Sequence, residues 1–217
     1  MNNRRPLLGL LKYAFYSARG DLAFALLFGL AVGILSLIAD NYLISQTLFP
    51  LLISGGPAYV VIMKSEGTPL WDQFQVAMPI KRKEVATAPY LGVLLASLLG
   101  IPIFVVISGI RFILHEGSIG SMLSTGISYH ATVLGTILIM SALLYPLAYT
   151  KLGQRSLQGL FVMCTCVAAA INSAILIGGN NLGLPEMVIT SLNITISGIA
   201  FFVSLFIARQ IYAKIDF

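Results

Sequence analysis

The chain has 217 residues, of which 58% are hydrophobic and only 10% are charged, with a formal net charge of +5. Soluble domains carry about 25% charged residues, and a mean hydropathy of +0.92 leaves too little polar surface to cover a soluble core of this size. The composition therefore excludes a soluble protein and predicts an all-α integral membrane protein. We interpret residues 1–217 as a single transmembrane domain.

The positive charge is concentrated in four short segments. All but one of the 13 basic residues lie within residues 4–19, 64–83, 151–155 and 209–214; the exception is Arg111. Because basic residues are retained on the cytoplasmic side of a membrane, we expect these segments and both termini to be cytoplasmic. The distribution of the positive charge therefore indicates how the chain is oriented in the membrane, and not a nucleic-acid partner.

Six apolar runs predict six membrane-spanning helices. They cover residues 22–39, 43–63, 89–110, 127–149, 157–177 and 187–208. Residues 7–21 precede them, with apolar residues at helical spacing and cations on the other side. This pattern predicts an amphipathic helix in the inner interface, or a frayed start of the first span.

Helix-breaking residues interrupt the second and third spans. The second contains Pro50 and the run from Ser54 through Gly55 and Gly56 to Pro57. Such residues are tolerated within a membrane only where neighbours or a cavity satisfy the freed backbone groups. We therefore expect a bend, either as a simple kink or as part of a translocation path. In the third span we expect Pro89 in the first turn and a kink at Pro102. The predicted outer loops cover residues 40–42, 111–126 and 178–185.

Residues 64–88 form the longest charged interruption of the apolar sequence, and they contain the single tryptophan. Thr68 can cap a short helix that begins at Pro69. Trp71 and Phe74 lie on its apolar face, and it ends at Pro79. A helix of this length is marginal alone in water. It needs the inner leaflet, the protein's own spans or another subunit to pack against.

In the central segment, Glu66 and Trp71 are followed by Met78-Pro79-Ile80-Lys81-Arg82, and Glu84-Val85 leads into the third span. This pattern resembles the coupling region of the ABC-2 type transporter permeases. The family has Leu-Pro-Val-x-Arg at this step, so the match is close without being identical. The layout of the whole chain is most similar to the small six-span subfamily of bacterial peptide, bacteriocin and drug exporters.

The resemblance implies a permease subunit of the bacterial cytoplasmic membrane, driven by a separate ATPase that holds ATP and Mg²⁺. It also implies a dimer with a second copy or a sister permease, surrounded by membrane lipids. The coupling helix would sit in a cleft of the ATPase. Carried over by position, the ATPase-contacting candidates are Glu66, Trp71, Phe74, Met78, Pro79, Arg82 and Glu84. The loop between the last two spans is shorter than in larger family members, which have re-entrant gate helices there.

Uncharged polar and helix-breaking residues within the spans provide candidates for a substrate path. These are Asn172 and Asn193, together with Pro50, Gly55 and Gly56 of the second span. Polar side chains in spans either join helices by hydrogen bonds or line a route. No charged residue lies in mid-span, which argues against an ion pathway. We expect an amphipathic or hydrophobic cargo, with a peptide as the first candidate.

Other function classes have weaker support. Ser54, Ser108 and His130 lack the motifs of a membrane protease, and His130 is interpreted as a packed or interfacial histidine. His115 and Glu116 are adjacent, so on a helix their side chains point in different directions and are poorly placed to bind one metal ion. No phosphate-binding glycine loop occurs, so we expect no enzyme activity and no cofactor in this chain. The alternatives are the substrate-capture subunit of a vitamin importer and a structural membrane protein.

Overall fold

The structure, a computed structural model, describes residues 5–38, 48–65, 81–115, 119–148 and 157–213, and every regular element in these ranges is helical. The helices are α1 (Arg5–Ile38), α2 (Gly56–Ser65), α3 (Arg82–Leu98), α4 (Gly100–His115), α5 (Ile119–Ala148), α6 (Leu157–Asn181) and α7 (Glu186–Ala213). A π-helical segment, Leu51–Gly55, leads directly into α2. The described residues thus confirm the all-α prediction.

Five helical stretches in the described ranges are long and apolar enough to cross a membrane. They are Leu7–Ile38, Arg82–Arg111, Ile127–Ala148, Gly159–Asn181 and Glu186–Ala213. A sixth, shorter apolar stretch covers Leu51–Ile62 and corresponds to the second predicted span. This architecture of about six apolar helices fits an integral membrane protein.

The core of the bundle is formed by one face each of α1, α2, α3, α5, α6 and α7. Tyr90 and Tyr145 are fully buried there with ring centroids 4.6 Å apart, and Phe201 packs edge-on against Tyr90 at 5.2 Å. The other faces of α1 and α6 expose rows of apolar side chains such as Phe24 and Val162. Exposed apolar rows of this kind suit contact with lipid or with another membrane helix.

The N-terminal region differs from the sequence prediction. Residues 7–21 and the first predicted span form one continuous helix, α1, without a break near Asp21. Its N-terminal part also packs against protein: buried Leu10 clusters with Val85 and Ala86 of α3 and Tyr212 of α7. The apolar face that suggests lipid contact in sequence is partly used for helix packing, which periodicity alone cannot distinguish.

Several helix ends also lie beyond their predicted limits. α3 begins at Arg82, so Pro89 is inside the helix and not in its first turn. Helices α4 and α5 extend through most of the loop predicted at 111–126. α3 and α4 meet at Leu99, which keeps helical angles and donates its backbone N–H to the carbonyl oxygen of Leu95. Pro102, where a kink is predicted, lies three residues further on and has no N–H for the carbonyl oxygen of Leu98.

Where a bend is predicted in the second span, the structure has the π-helical segment. Neighbouring helices approach this segment closely at glycines. A Cβ added to Gly29 of α1 would lie 3.1 Å from the Cα of Ile53, and one added to Gly100 of α4 would lie 2.5 Å from the carbonyl oxygen of Ile53. π-helical segments leave backbone groups in unusual register, and the close packing of α1 and α4 encloses this one.

Candidate functional site

The predicted coupling segment meets the described structure at the start of α3. Glu66, Trp71, Phe74, Met78 and Pro79 lie outside the described residues. Arg82 and Glu84, the last two candidates of the segment, lie in the first turn of α3. The structure therefore describes the C-terminal part of the coupling segment, and the predicted contact with an ATPase stays a prediction.

Two arginines connect the start of α3 to the end of α7. Arg82 donates a hydrogen bond from Nη1 to the carbonyl oxygen of Ala213 at 3.3 Å. Arg209 of α7 donates from Nε to the Thr87 hydroxyl oxygen at 2.9 Å. Thr87 in turn donates to the carbonyl oxygen of Lys83 one turn earlier. We call Arg82, Thr87, Arg209 and Ala213 the α3–α7 junction.

A second set of hydrogen bonds joins α3, α5 and α7 one turn further along α3. The Tyr90 hydroxyl and the Ser204 hydroxyl are 2.8 Å apart, and Ser204 donates to the carbonyl oxygen of Ala142 at 2.6 Å. Because Ser204 uses its proton on Ala142, Tyr90 must be the donor to Ser204. Tyr145 also donates to the carbonyl oxygen of Pro89 at 3.3 Å. These bonds make α3, α5 and α7 one connected unit.

The Glu84 carboxylate has an unusual environment beside this junction. Its backbone N–H donates to the carbonyl oxygen of Lys81 at 2.8 Å. Its Oε2 atom is buried and has no hydrogen-bond partner among the residues that the structure describes. A buried carboxylate oxygen without a donor is costly.

The two asparagines predicted for the substrate path lie at one level of the bundle. Asn172 of α6 donates from Nδ2 to the Thr136 hydroxyl of α5. Asn193 of α7 accepts at Oδ1 from Ser197 at 3.2 Å. The same oxygen lies 2.9 Å from where a Cβ on Gly135 would be, so the glycine admits Asn193 to the surface of α5. We call Gly135, Thr136, Asn172, Asn193 and Ser197 the polar layer.

The polar layer retains unused hydrogen-bonding capacity. Asn172 is 3% exposed and Asn193 is 1% exposed. Oδ1 of Asn172 and Nδ2 of Asn193 are nevertheless buried without a partner in the described part of the chain. The layer thus contains one free acceptor and one free donor at a depth where neither reaches water.

A cavity of about 320 Å³ opens toward the ends of α5, α6 and α7 that we expect on the outer side. Its polar lining includes Ser128, Thr132, Asn180, Glu186 and Thr190. We call it the outer cavity. Thr136 and Asn172 follow one helical turn deeper than Thr132 and Leu176, so the polar layer lies at its inner end.

The remaining path candidates belong to the second span and occupy packed positions. Pro50 is fully buried. A Cβ on Gly56 would contact the Cβ of Ala25 in α1 at 3.4 Å, and one on Gly55 would contact Leu51 at 3.5 Å. These residues do not line the outer cavity, so the structure brings Asn172 and Asn193 together but not the second-span group.

His130 has a more specific position than its sequence context indicates. Its Nε2 is 3.3 Å from the hydroxyl oxygen of Ser54 in the π-helical segment, and its ring stacks on Phe104 with centroids 4.6 Å apart. The side chain is buried, in agreement with its interpretation as a packed histidine. It connects α5 to the irregular part of the second span.

Sequence reasoning missed Thr87, Tyr90, Thr136, Ser204 and Arg209. One signal was available: Ser128, Thr132 and Thr136 recur every four residues, which predicts a hydroxyl row on one face of α5. The partners of Tyr90 and Arg209 lie more than 100 residues away in sequence, and no local pattern identifies such pairs.

Comparison with known protein families gives a match that covers almost the whole chain. The model of a family described as "ABC-2 family transporter protein" matches residues 9–213, from the first turns of α1 to the end of α7. No curated protein and no solved structure matches the chain.

Proposed function

Because the chain belongs to the ABC-2 family of transporter proteins, we propose that this ABC transporter permease is an exporter of amphipathic or hydrophobic molecules. Membership in the family implies a partner ATPase subunit. The export direction and the class of cargo are our proposal, as is the assignment of residues 64–88 as the segment that contacts the ATPase.

The observation that carries this proposal is the α3–α7 junction. The coupling segment leads directly into α3, and Arg82 and Arg209 bind α3 to the last turns of α7. A force applied to the segment by an ATPase would therefore move α3 and α7 together. Since α7 packs along α5, the displacement would reach Asn193 and the polar layer. Such rigid-body movement of connected helices is a standard route for switching a transporter.

The polar layer supports a cargo that contains amide groups. Asn172 presents a free acceptor and Asn193 presents a free donor, and a peptide bond has one group of each kind. Both asparagine groups are buried in the present arrangement. Separation of α5, α6 and α7 during transport would expose them to a substrate, and this supports a peptide as the first candidate cargo.

We further propose that the permease acts as a dimer, with a second copy or a sister permease, in the bacterial cytoplasmic membrane. The exposed apolar faces of α1 and α6 provide surface for lipid and for a second permease. The vitamin-importer and structural-protein alternatives have no specific support once the chain is an ABC-2 family member.

The proposal is tested by purifying the full chain from its native membrane in mild detergent and identifying the proteins that accompany it. We expect a stoichiometric ATPase with a phosphate-binding loop to accompany the wild-type chain. Trp71→Ala combined with Phe74→Ala should leave the permease folded but uncouple ATP hydrolysis from transport. The matched control, Leu182→Ala with Met187→Ala, removes two exposed apolar side chains from the opposite end and should have no effect. Normal transport by the Trp71/Phe74 variant would contradict the coupling assignment.

A further inference from the structure

A groove opens between α3 and α7 on the side of the junction that faces away from the core. Its volume is about 380 Å³, and it is lined by Lys83, Phe206, Arg209, Gln210 and Ala213. The four α7 residues are spaced at i, i+3, i+4 and i+7, so they form one stripe on the helix. We call this site the inner groove. It lies at the end of the bundle where the basic residues are concentrated.

The charges of the inner groove are positive and come from two helices. Lys83 is exposed in the first turn of α3, and Arg209 is half-buried in the last turns of α7. Arg209 donates from Nε to Thr87, which fixes the plane of its guanidinium group. Its terminal nitrogens make no hydrogen bond to another described residue and can therefore meet a ligand. The N-terminus of α3 adds a partial positive charge. The neighbouring acid, Glu84, does not line the groove.

An apolar surface continues from the groove toward the middle of the span. Phe206 is 63% exposed at the groove, and Phe202, Val203 and Ile199 follow it along α7 with more than half of each side chain exposed. A ligand that fills the groove with an anionic group would therefore meet an apolar row on α7. This combination is what an anionic phospholipid offers: a phosphate at the membrane surface and acyl chains in the hydrocarbon.

We propose that the inner groove binds the phosphate of an anionic phospholipid of the inner leaflet, between Lys83 and Arg209. Basic pockets between transmembrane helices on the cytoplasmic side are typical lipid-headgroup sites. A bound lipid would bridge α3 and α7 beside the bonds of Arg82 and Arg209. It would therefore stabilise the contact through which the coupling segment acts on the bundle.

The test is native mass spectrometry of the full chain in detergent, titrated with phosphatidylglycerol or with phosphatidylcholine. We expect tighter binding of phosphatidylglycerol, and a loss of about five-fold in its affinity for each cation removed by Lys83→Gln and Arg209→Gln. Lys12→Gln changes the net charge equally at an exposed position of α1 and should retain the wild-type preference. Lys83→Gln alone tests the site if the Arg209 variant fails to fold, because the Lys83 side chain is exposed.

Three results would overturn the proposal. One is equal affinity of the wild-type chain for the two lipids. A second is an equal loss of affinity in the Lys12→Gln control, which would indicate a general effect of charge. A third is that inorganic phosphate binds the site as tightly as phosphatidylglycerol does and displaces it. The acyl chains would then contribute nothing to the binding of the lipid.

Discussion

Two glycines of the same helix, α4, have opposite surroundings. A Cβ on Gly100 would lie 2.5 Å from the carbonyl oxygen of Ile53 and 2.5 Å from the hydroxyl oxygen of Ser54, whereas a Cβ on Gly109 would meet nothing within 4 Å. Backbone atoms cannot move aside as a flexible side chain can. Gly100 therefore permits contact between α4 and the π-helical segment.

We predict that Gly100→Ala destabilises the protein by about 1–3 kcal/mol, the usual cost of overpacking. Gly109→Ala should cause no loss, since alanine favours helix at an unobstructed position. Thermal unfolding of both variants in detergent would measure the difference. Equal midpoints for the two variants would mean that α4 does not approach Ile53 as closely as described.

A hydrogen bond of 2.8 Å between the Tyr90 and Ser204 hydroxyls links α3 to α7. Tyr90→Phe removes the donor, and Ser204→Ala removes both the acceptor and the bond to Ala142. Side-chain hydrogen bonds in membrane proteins average about 0.6 kcal/mol. We predict a coupling energy of about that size in a double-mutant cycle, measured by unfolding in detergent. Strict additivity of the two substitutions would contradict the bond.

At the scale of helices, two adjacent residues of α7 differ in whether they face the outer cavity. Thr190 lines the cavity, whereas Ser191 is exposed on the next face and donates to the carbonyl oxygen of Met187. We predict that Thr190→Cys reacts with a charged, water-soluble methanethiosulfonate and that Ser191→Cys reacts at least about ten times more slowly. The reason is that only the cavity provides water to a polar thiolate, whereas a lipid-facing thiol stays protonated.

The experiment requires replacement of the two native cysteines, Cys164 and Cys166, of which Cys166 is exposed. The cysteine-free chain without either new cysteine serves as the background control. Slower reaction at position 190 than at position 191 would show that the cavity is closed to water.

The sequence predicted the existence and order of the helices better than their ends. Long apolar runs identify spans because hydrocarbon requires every backbone group to be bonded within the helix. The same requirement extends helices past residues that break helices in water. Pro89 therefore lies inside α3, and α5 includes residues 119–126, which contain serine and glycine. Local breaker signals mark loops in water more reliably than near a membrane.

The candidate site was predictable only in part, for a related reason. Asn172 and Asn193 could be selected because amides are uncommon in apolar spans, and the structure does place both in the polar layer. The α3–α7 junction depends on contacts between residues far apart in sequence, such as Arg82 with Ala213. Composition and periodicity contain no information on which helices become neighbours, so the junction could not be predicted.

At the scale of the whole molecule, the positions of the loops determine which side an ATPase can reach. Leu182 lies between α6 and α7 and is 77% exposed. Lys81 and Gln210 lie at the opposite end, at the start of α3 and near the end of α7, and are also exposed. Since basic residues are retained in the cytoplasm, Leu182 should face outward and the other two inward.

We predict that Leu182→Cys, in the cysteine-free chain, is labelled by a membrane-impermeant maleimide on intact cells. Lys81→Cys and Gln210→Cys should be labelled only after the membrane is permeabilised. Charge retention acts on each short loop, so the two cytoplasmic positions must agree with each other. The reverse pattern would place the coupling segment outside the cell, where no ATP-driven subunit could act on it. An intact-cell signal at all three positions would mean that the helices do not cross in the described order, and the path from the coupling segment through α3 and α7 to the polar layer would lose its basis.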